Sequence, residues 1–245
     1  MHPILFKIGP ITIYSYGVMV ALGFIVGIYL ARHRAKCDGI DPDRVIDLGV
    51  YVLISAIVGS RLLHVLLNLK EYLASPREIF MIHHGGLAFY GGMILAVVTG
   101  ALFLRKKKIS FFGMGDTIIP YVALGQAIGR TGCLLNGCCY GKVTSLPWGA
   151  YFPGRELPLH PTQIYFSLNC LAVFLILIFI RERKAYSGQV FLSYFLLYPF
   201  GRFFIEFFRD DIPRTIFGVF TVPQLISVCI FFIALTIFIK ESAKV

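Results

Sequence analysis

Two arginines inside long apolar blocks are the first residues with chemistry to offer, Arg130 and Arg202. An arginine in a lipid-embedded helix costs ~2.5–3.5 kcal/mol on the insertion scale, so its side chain faces a protein interior or a wet cavity. A guanidinium is a planar fork that binds phosphate oxygens through paired, charge-assisted hydrogen bonds. Two of them in a membrane wall suit an anionic headgroup, and the abundant phosphate there is phospholipid. Gly129 and Gly132 flank Arg130 and leave room for a ligand against the backbone. Arg202 has a second reading, as an internal pair with Glu206 at i,i+4 or a side chain snorkelling to the headgroups.

A second group with chemistry is the cysteine set. Cys37, Cys170 and Cys229 stand singly, as small packing residues do. Cys133, Cys138 and Cys139 cluster just after Arg130, where a disulfide is open to them. With His83, His84 and His160 they also offer a thiolate–imidazole metal site. Their C-x4-C-C spacing departs from the usual C-x2-C, which favours disulfide or inert thiols over metal or redox chemistry.

These residues need elements to hold them. Of 245 residues, 57% are apolar and 15% charged, against about 25% charged in an ordinary soluble domain. The mean hydropathy is +0.77. A soluble enzyme is excluded. Seven apolar blocks, at 14–31, 45–67, 87–104, 116–135, 163–180, 189–208 and 222–239, are each long enough as helices to cross a hydrocarbon core ~30 Å thick. Backbone groups in lipid must be satisfied within the segment, so the predicted fold is an all-α, polytopic membrane protein of seven transmembrane helices in one domain over 1–245. The first 13 residues, broken by Pro3 and Pro10, lack the features of a cleavable signal peptide and read as a short arm on the outer membrane surface.

The net charge of +10 encodes orientation rather than nucleic-acid binding. Thirteen Lys and Arg lie in the segments after spans one, three, five and seven, including Arg32, Arg34, Lys36 and the run 105–108. Seven lie on the opposite side, and Arg61, Arg130 and Arg202 fall within spans. The positive-inside rule then predicts an outside N-terminus and a cytoplasmic C-terminus. With that topology, Tyr14 and Tyr16, the run GGLAFYGG at 85–92, GRTGCLLNGCCYG at 129–141, HPTQ at 160–163, and Tyr198, Arg202, Glu206 and Arg209 all reach the outer side. The glycines of GGLAFYGG read equally as a helix-packing face or as a slot for lipid. Arg61 and Asp116 read as structural, since Asp116 lies about 21 Å along its helix from Arg130. The loop 142–159, with Trp148, Tyr151 and Phe152, reads as an interfacial aromatic anchor in preference to a gate.

GRTGCLLNGCCYG resembles the signature of the prolipoprotein diacylglyceryl transferase family, G-R-x-G-N-F-x-N-x-E-x-x-G, at Gly129, Arg130, Gly132, Asn136 and Gly141. Further matches run along the chain at Tyr16-Gly17, Gly59, Arg61, Gly85-Gly86, Gly91-Gly92, Asp116, His160-Pro161, Gln163, Tyr165, Tyr198, Arg202, Glu206 and Arg209. The resemblance implies transfer of a diacylglyceryl group from phosphatidylglycerol to the lipobox cysteine of a prolipoprotein signal peptide, giving a thioether and releasing glycerol phosphate. It implies the outer leaflet of the bacterial cytoplasmic membrane, no metal and no organic cofactor. The chain departs from the signature at Cys133, Leu134 and Cys138, and has Tyr90 where some members carry a His proposed as general base.

On that resemblance Arg130 and Arg202 are the catalytic phosphate clamp. Tyr16, Asn136 and Tyr198 orient the substrate by hydrogen bonds, Gly86, Gly91 and Gly141 give it room, and Glu206 holds Arg202. Tyr90 is a candidate base or headgroup contact. His160 is a weaker base candidate, with His83 and His84 competing for the role. The alternatives are a membrane thiol oxidoreductase or metal-dependent enzyme built on Cys133, Cys138 and Cys139, and a non-catalytic phospholipid-binding relative.

Overall fold

The computed structural model describes all residues except Pro10, 82–84, 214–217 and Val245, and the side chains of all of these save Ile8 and Ile11. His83 and His84 therefore lie outside the described residues. The chain begins as an antiparallel ribbon, β1 (Ile4–Ile8) with β2 (Ile11–Tyr14), then runs through α1 (Ser15–Cys37), α2 (Pro42–Leu67), the short α3 (Leu69–Ala74) and a 3-10 turn at Pro76–Phe80. There follow α4 (Phe89–Lys106), α5 (Phe111–Asn136), α6 (Thr162–Glu182), α7 (Gln189–Ile205) with a 3-10 turn at Glu206–Phe208, and α8 (Val222–Ser242). Among the described residues seven helices are long and apolar enough to cross a membrane, as the apolar blocks predict. Between 17% and 33% of each apolar window is buried within the chain, so most of that surface is left for lipid.

Most of the helices, α1, α2, α5, α6 and α8, outrun the predicted spans because hydrocarbon thickness limits the apolar run and not the hydrogen-bond ladder. α1 continues to Cys37, where Arg34 and Lys36 sit favourably at its negative end. The N-terminal arm is the ribbon, closed onto the start of α1 by Ser15 N–H donating to the Pro3 carbonyl at 2.9 Å.

The chain divides into two compact units, Arg32–Met114 and the union of Met1–Ala31 with Gly115–Val245. In the first, α2 packs along α4 through small residues. A Cβ on Gly59 would strike the Gly91 carbonyl, one on Gly91 the Gly59 carbonyl, and one on Gly92 the Ala56 carbonyl at 2.7 Å. The structure thus places Gly91 and Gly92 in a helix contact, of which small residues permit the closest kind. Buried Arg61 donates to the carbonyls of Ile79 (3.0 Å), Gly85 (2.6 Å), Gly86 (3.0 Å), Met81 (3.4 Å) and Glu78. All its donors are spent on backbone, so it staples the loop that leads into α4.

In the second unit α1 crosses α5 where a Cβ on Gly23 would stand 2.6 Å from the Gly125 carbonyl. Ile119, Ala123, Val173, Leu177, Val190 and Tyr194 form a buried core joining α5, α6 and α7. At the far end of α5, buried Asp116 accepts from Gly188 N–H (2.8 Å) and Phe191 N–H (2.9 Å) and pairs with Lys184 (3.2 Å). A carboxylate from one helix thereby caps the N-terminus of another, satisfying donors that α7 cannot pair within itself.

The loop 142–159 departs from its reading as an aromatic anchor at one residue. Trp148 and Tyr151 are exposed, but Phe152 is 2% exposed and packs on the Tyr140 ring at 5.2 Å. Proline- and glycine-rich composition locates a loop and leaves open which of its aromatics turns inward.

Candidate functional site

Arg130 and Arg202 come from different helices, α5 and α7, and a third helix brings them together. The ring of Phe166 on α6, wholly buried, has the Arg130 guanidinium 4.4 Å from its centroid, and those of Arg202 and Arg209 at 5.8 Å each. Cations are drawn to the negative face of an aromatic ring, so one phenylalanine holds three like charges in one place.

The three arginines are not equally satisfied. Arg209 is buried, donates to both carboxylate oxygens of Asp211 at 2.8 and 2.6 Å, and pairs with Glu206 at 3.6 Å. Arg202 donates to the Tyr198 hydroxyl at 3.2 Å, and Tyr198 stacks flat on Tyr194 with centroids 5.4 Å apart. Among the described residues no carboxylate lies within ion-pair distance of Arg130 or Arg202. Two half-buried guanidiniums without a counter-anion are an anion-binding arrangement.

Glu206 takes a different partner from the one its helical spacing predicts. The sequence pairs it with Arg202 four residues earlier, whereas the structure pairs it with Arg209 three residues later and with the Thr221 hydroxyl at 3.5 Å. The cause is the change from α-helix to 3-10 turn at Glu206, which alters the angular step and brings i and i+3 into line.

A cavity of about 100 Å³ opens beside Arg130, lined also by Thr131, Leu134, Gln163, Ile164, Ser167 and Leu168. Gln163 is fully buried and its Nε2 donates to the Cys138 carbonyl at 2.6 Å, while its Oε1 has no partner. A buried acceptor left unmatched costs about 1–3 kcal/mol, which a hydroxyl-bearing ligand would recover. Neither Gln163 nor Phe166 was singled out as a site residue by type. An apolar-span phenylalanine carries no local mark of its neighbours, and Gln163 stands out in the sequence only within the HPTQ run on the predicted outer side and as a family match.

The remaining residues are distributed as follows. Tyr16 opens α1 with its backbone against Gly132, whose Cβ position lies 3.2 Å from the Tyr16 Cα. Asn136 ends α5 and is exposed. Gly141 bridges to Arg209, and its N–H donates to the His160 carbonyl at 2.9 Å. The His160 Nδ1 and the Tyr165 hydroxyl are 3.1 Å apart, and Trp148 Nε1 donates to that hydroxyl at 2.8 Å. Burial, aided by the Lys142 charge, lowers the His160 pKa below the ordinary histidine value, favouring the neutral imidazole, the form that accepts a proton. Tyr90, Gly86, Gly91 and Arg61 belong to the other unit, where Tyr90 is exposed and packs edge-on against Phe89.

Gly141 is required by space. A Cβ there would meet the Phe208 carbonyl, and the His160 Cβ and Thr162 Cγ2 at 2.8 Å. Gly141→Ala is expected to destabilise the fold by about 1–3 kcal/mol as overpacking does, read as a lower unfolding temperature in detergent. An unchanged temperature would show that the junction yields.

Cys133 lies in the last turn of α5, and Cys138 and Cys139 follow its end. Gly137 (φ +75°) and Cys139 (φ +61°) turn the chain back, and the Cys138 N–H donates to the Cys133 carbonyl at 3.2 Å. All six cysteines are free thiols. The sulfurs of Cys133, Cys138 and Cys139 lie within 4.8 Å of one another, with Cys138 and Cys139 3.7 Å apart. Hydrogen bonds from Cys133 and then Cys139 lower the Cys138 thiol, while those with Cys133 and Cys138, together with burial, raise the Cys139 thiol.

The sequence profile described as "Prolipoprotein diacylglyceryl transferase" matches residues 3–240. Three relatives, each named phosphatidylglycerol–prolipoprotein diacylglyceryl transferase, match along nearly their whole length. The Finegoldia magna protein is 37% identical over 246 residues, covering 100% of this chain and 98% of the relative. The Clostridium tetani protein is 35% identical over 97% of both chains, and that of Geobacter sulfurreducens 35% identical over 100% of this chain and 96% of its own. An almost complete profile match, with the glycine–arginine signature at the end of α5, places the chain in the prolipoprotein diacylglyceryl transferase family.

Proposed function

We propose that this chain is a multi-pass bacterial inner-membrane enzyme that transfers the diacylglyceryl group of phosphatidylglycerol to the lipobox cysteine of a prolipoprotein. The observation that carries the reading is the pair of uncompensated guanidiniums, Arg130 and Arg202, around Phe166. In the reaction, the client sulfur attacks a glyceryl carbon, a C–S bond forms, and the C–O bond to phosphate breaks with its electron pair leaving on oxygen. Negative charge grows on that phosphate, and preorganised donors typically contribute ~2.7–4 kcal/mol each at a developing anion. Tyr198 orients Arg202, Tyr16 and Asn136 line the same end of α5, and the unmatched Gln163 acceptor suits a glycerol hydroxyl. The client thiol is only a few per cent ionised at pH 7, so its proton must go to a base, for which neutral His160 is the candidate within the unit of the arginines.

The charge distribution supports an outside N-terminus, which puts the arginine end of α5 at the outer leaflet. The test uses purified protein, phosphatidylglycerol vesicles and a lipobox peptide. Thioether-linked diacylglyceryl peptide by mass spectrometry supports the reading. Lipid binding without product would make the chain a phospholipid-binding relative.

A further inference from the structure

Tyr194, Tyr198 and Arg202 form a stripe along one face of α7 at four-residue spacing. Tyr198 accepts from Arg202, and its ring lies nearly parallel to that of Tyr194, the planes 7° apart and the centroids separated by 5.4 Å. Stacked rings orient each other, so the Tyr198 hydroxyl, and with it the Arg202 guanidinium, follows the Tyr194 ring. That ring is held from two sides. Phe195 meets it edge-on at 5.2 Å, and the hydroxyl of buried Tyr194 donates to Gln126 Oε1 at 2.8 Å. Gln126 belongs to α5 and lies one turn before Arg130, on the same helical face. One turn of α5 thus carries one guanidinium directly and reaches the other through two tyrosines. α6 is fastened to that turn as well, by Ser167 Oγ donating to the Ala127 carbonyl at 2.8 Å, and it brings Phe166, the ring beside both arginines.

We propose that Gln126 is a positioning residue for the phosphate clamp: by fixing Tyr194, and through it Tyr198, it sets where the Arg202 guanidinium stands relative to Arg130. The role rests on the transferase reading. Gln126 acts through the tyrosines and not on the reacting atoms, so its effect is geometric. Two guanidiniums share one phosphate only if both forks meet its oxygens, and misplacement by about 1 Å costs up to about 10²-fold in rate. A leucine at 126 would fill similar space and leave the Tyr194 hydroxyl without its acceptor, so that hydroxyl must turn to another partner and take the stack with it. Charge on the phosphate grows as the C–O bond breaks, so the loss falls on the step in which the phosphate leaves rather than on lipid capture.

The test compares wild type with Gln126→Leu, Tyr194→Phe, their double variant, and each single change combined with Arg202→Ala. Initial rates are taken with phosphatidylglycerol vesicles and lipobox peptide, with kcat and KM resolved, and the affinity for glycerol phosphate is measured in detergent, which needs no turnover. Expected is a fall in kcat of about 10- to 10²-fold in either single variant with KM near wild type, the double variant being no worse than one. Glycerol phosphate should bind more weakly to both, since it carries the charge of the departed phosphate. In the Arg202→Ala background neither change should lower rate or affinity further, a coupling that a merely structural residue would not show. Tyr194→Phe keeps its ring in the core and carries the test if Gln126→Leu fails to fold. Wild-type kcat in Tyr194→Phe, or equal losses with and without Arg202, overturns the positioning role while the transferase reading survives. No thioether product from wild type, with weakened glycerol phosphate binding that still depends on Arg202, overturns the transferase reading and keeps the placement of the two arginines. Neither product nor glycerol phosphate binding in wild type overturns both.

Discussion

Arg130→Ala is expected to lower the rate of diacylglyceryl transfer by about 10²–10³-fold, the usual cost of removing one preorganised donor from a developing anion. The argument is the contrast within one cluster. Arg209 is fully engaged by Asp211 and Glu206, whereas Arg130 faces Phe166 and a small cavity, with no carboxylate among the described residues to neutralise it. Its charge is left available to a phosphate. Arg130→Lys should recover little, because an ammonium keeps the charge and loses both the paired geometry and the flat contact with the ring. The measurement is the initial rate with phosphatidylglycerol vesicles and lipobox peptide, with kcat and KM resolved. A fall in kcat with little change in KM marks charge that is stabilised as the phosphate leaves. A normal rate in Arg130→Ala would remove the phosphate clamp from the proposal.

The second large effect is on stability. Asp116→Ala is expected to destabilise the protein by about 3 kcal/mol, the lower end of the range for breaking a buried pair, because Lys184 is partly exposed and regains water. The remaining cost comes from Gly188 and Phe191, whose N–H groups lose their acceptor at the start of α7. Asp116→Asn keeps one acceptor and should lose less. Unfolding temperature in detergent measures both. Activity per folded molecule should stay near wild type, since Asp116 lies about 21 Å along α5 from Arg130. Loss of kcat without loss of stability would assign Asp116 to the chemistry instead.

Several candidate site residues are legible in the sequence itself. Arg130 and Arg202 stand out because a guanidinium within an apolar span has to be explained by a partner or a ligand. Tyr198 was legible as a neighbour of Arg202 four residues along, and the structure gives the hydrogen bond. The same rule pairs Glu206 with Arg202 and fails there, because helical spacing stops holding where the helix tightens into a 3-10 turn. Phe166 was invisible, since nothing in LNC or YFS around an apolar-span phenylalanine separates a lipid-facing ring from one that gathers three cations. Phe152 was read outward and lies inward for a related reason: a loop's composition does not encode which aromatic finds a neighbour such as Tyr140.

Chain composition alone determined that there are seven crossings, since hydrocarbon thickness and the need to satisfy every backbone group leave a helix of about 20 apolar residues as the unit. It also supplied the motif that marks the family. Contacts between helices were decided only in three dimensions. Which arginine keeps a free charge depends on where Asp211 and Glu206 lie, and whether three cysteines form a cluster depends on two left-handed residues after α5. Local sequence sets the periodicity of each helix, whereas the rotation of one helix against the next is set by packing at points such as Gly23 against Gly125, and the chemistry sits where those rotations converge.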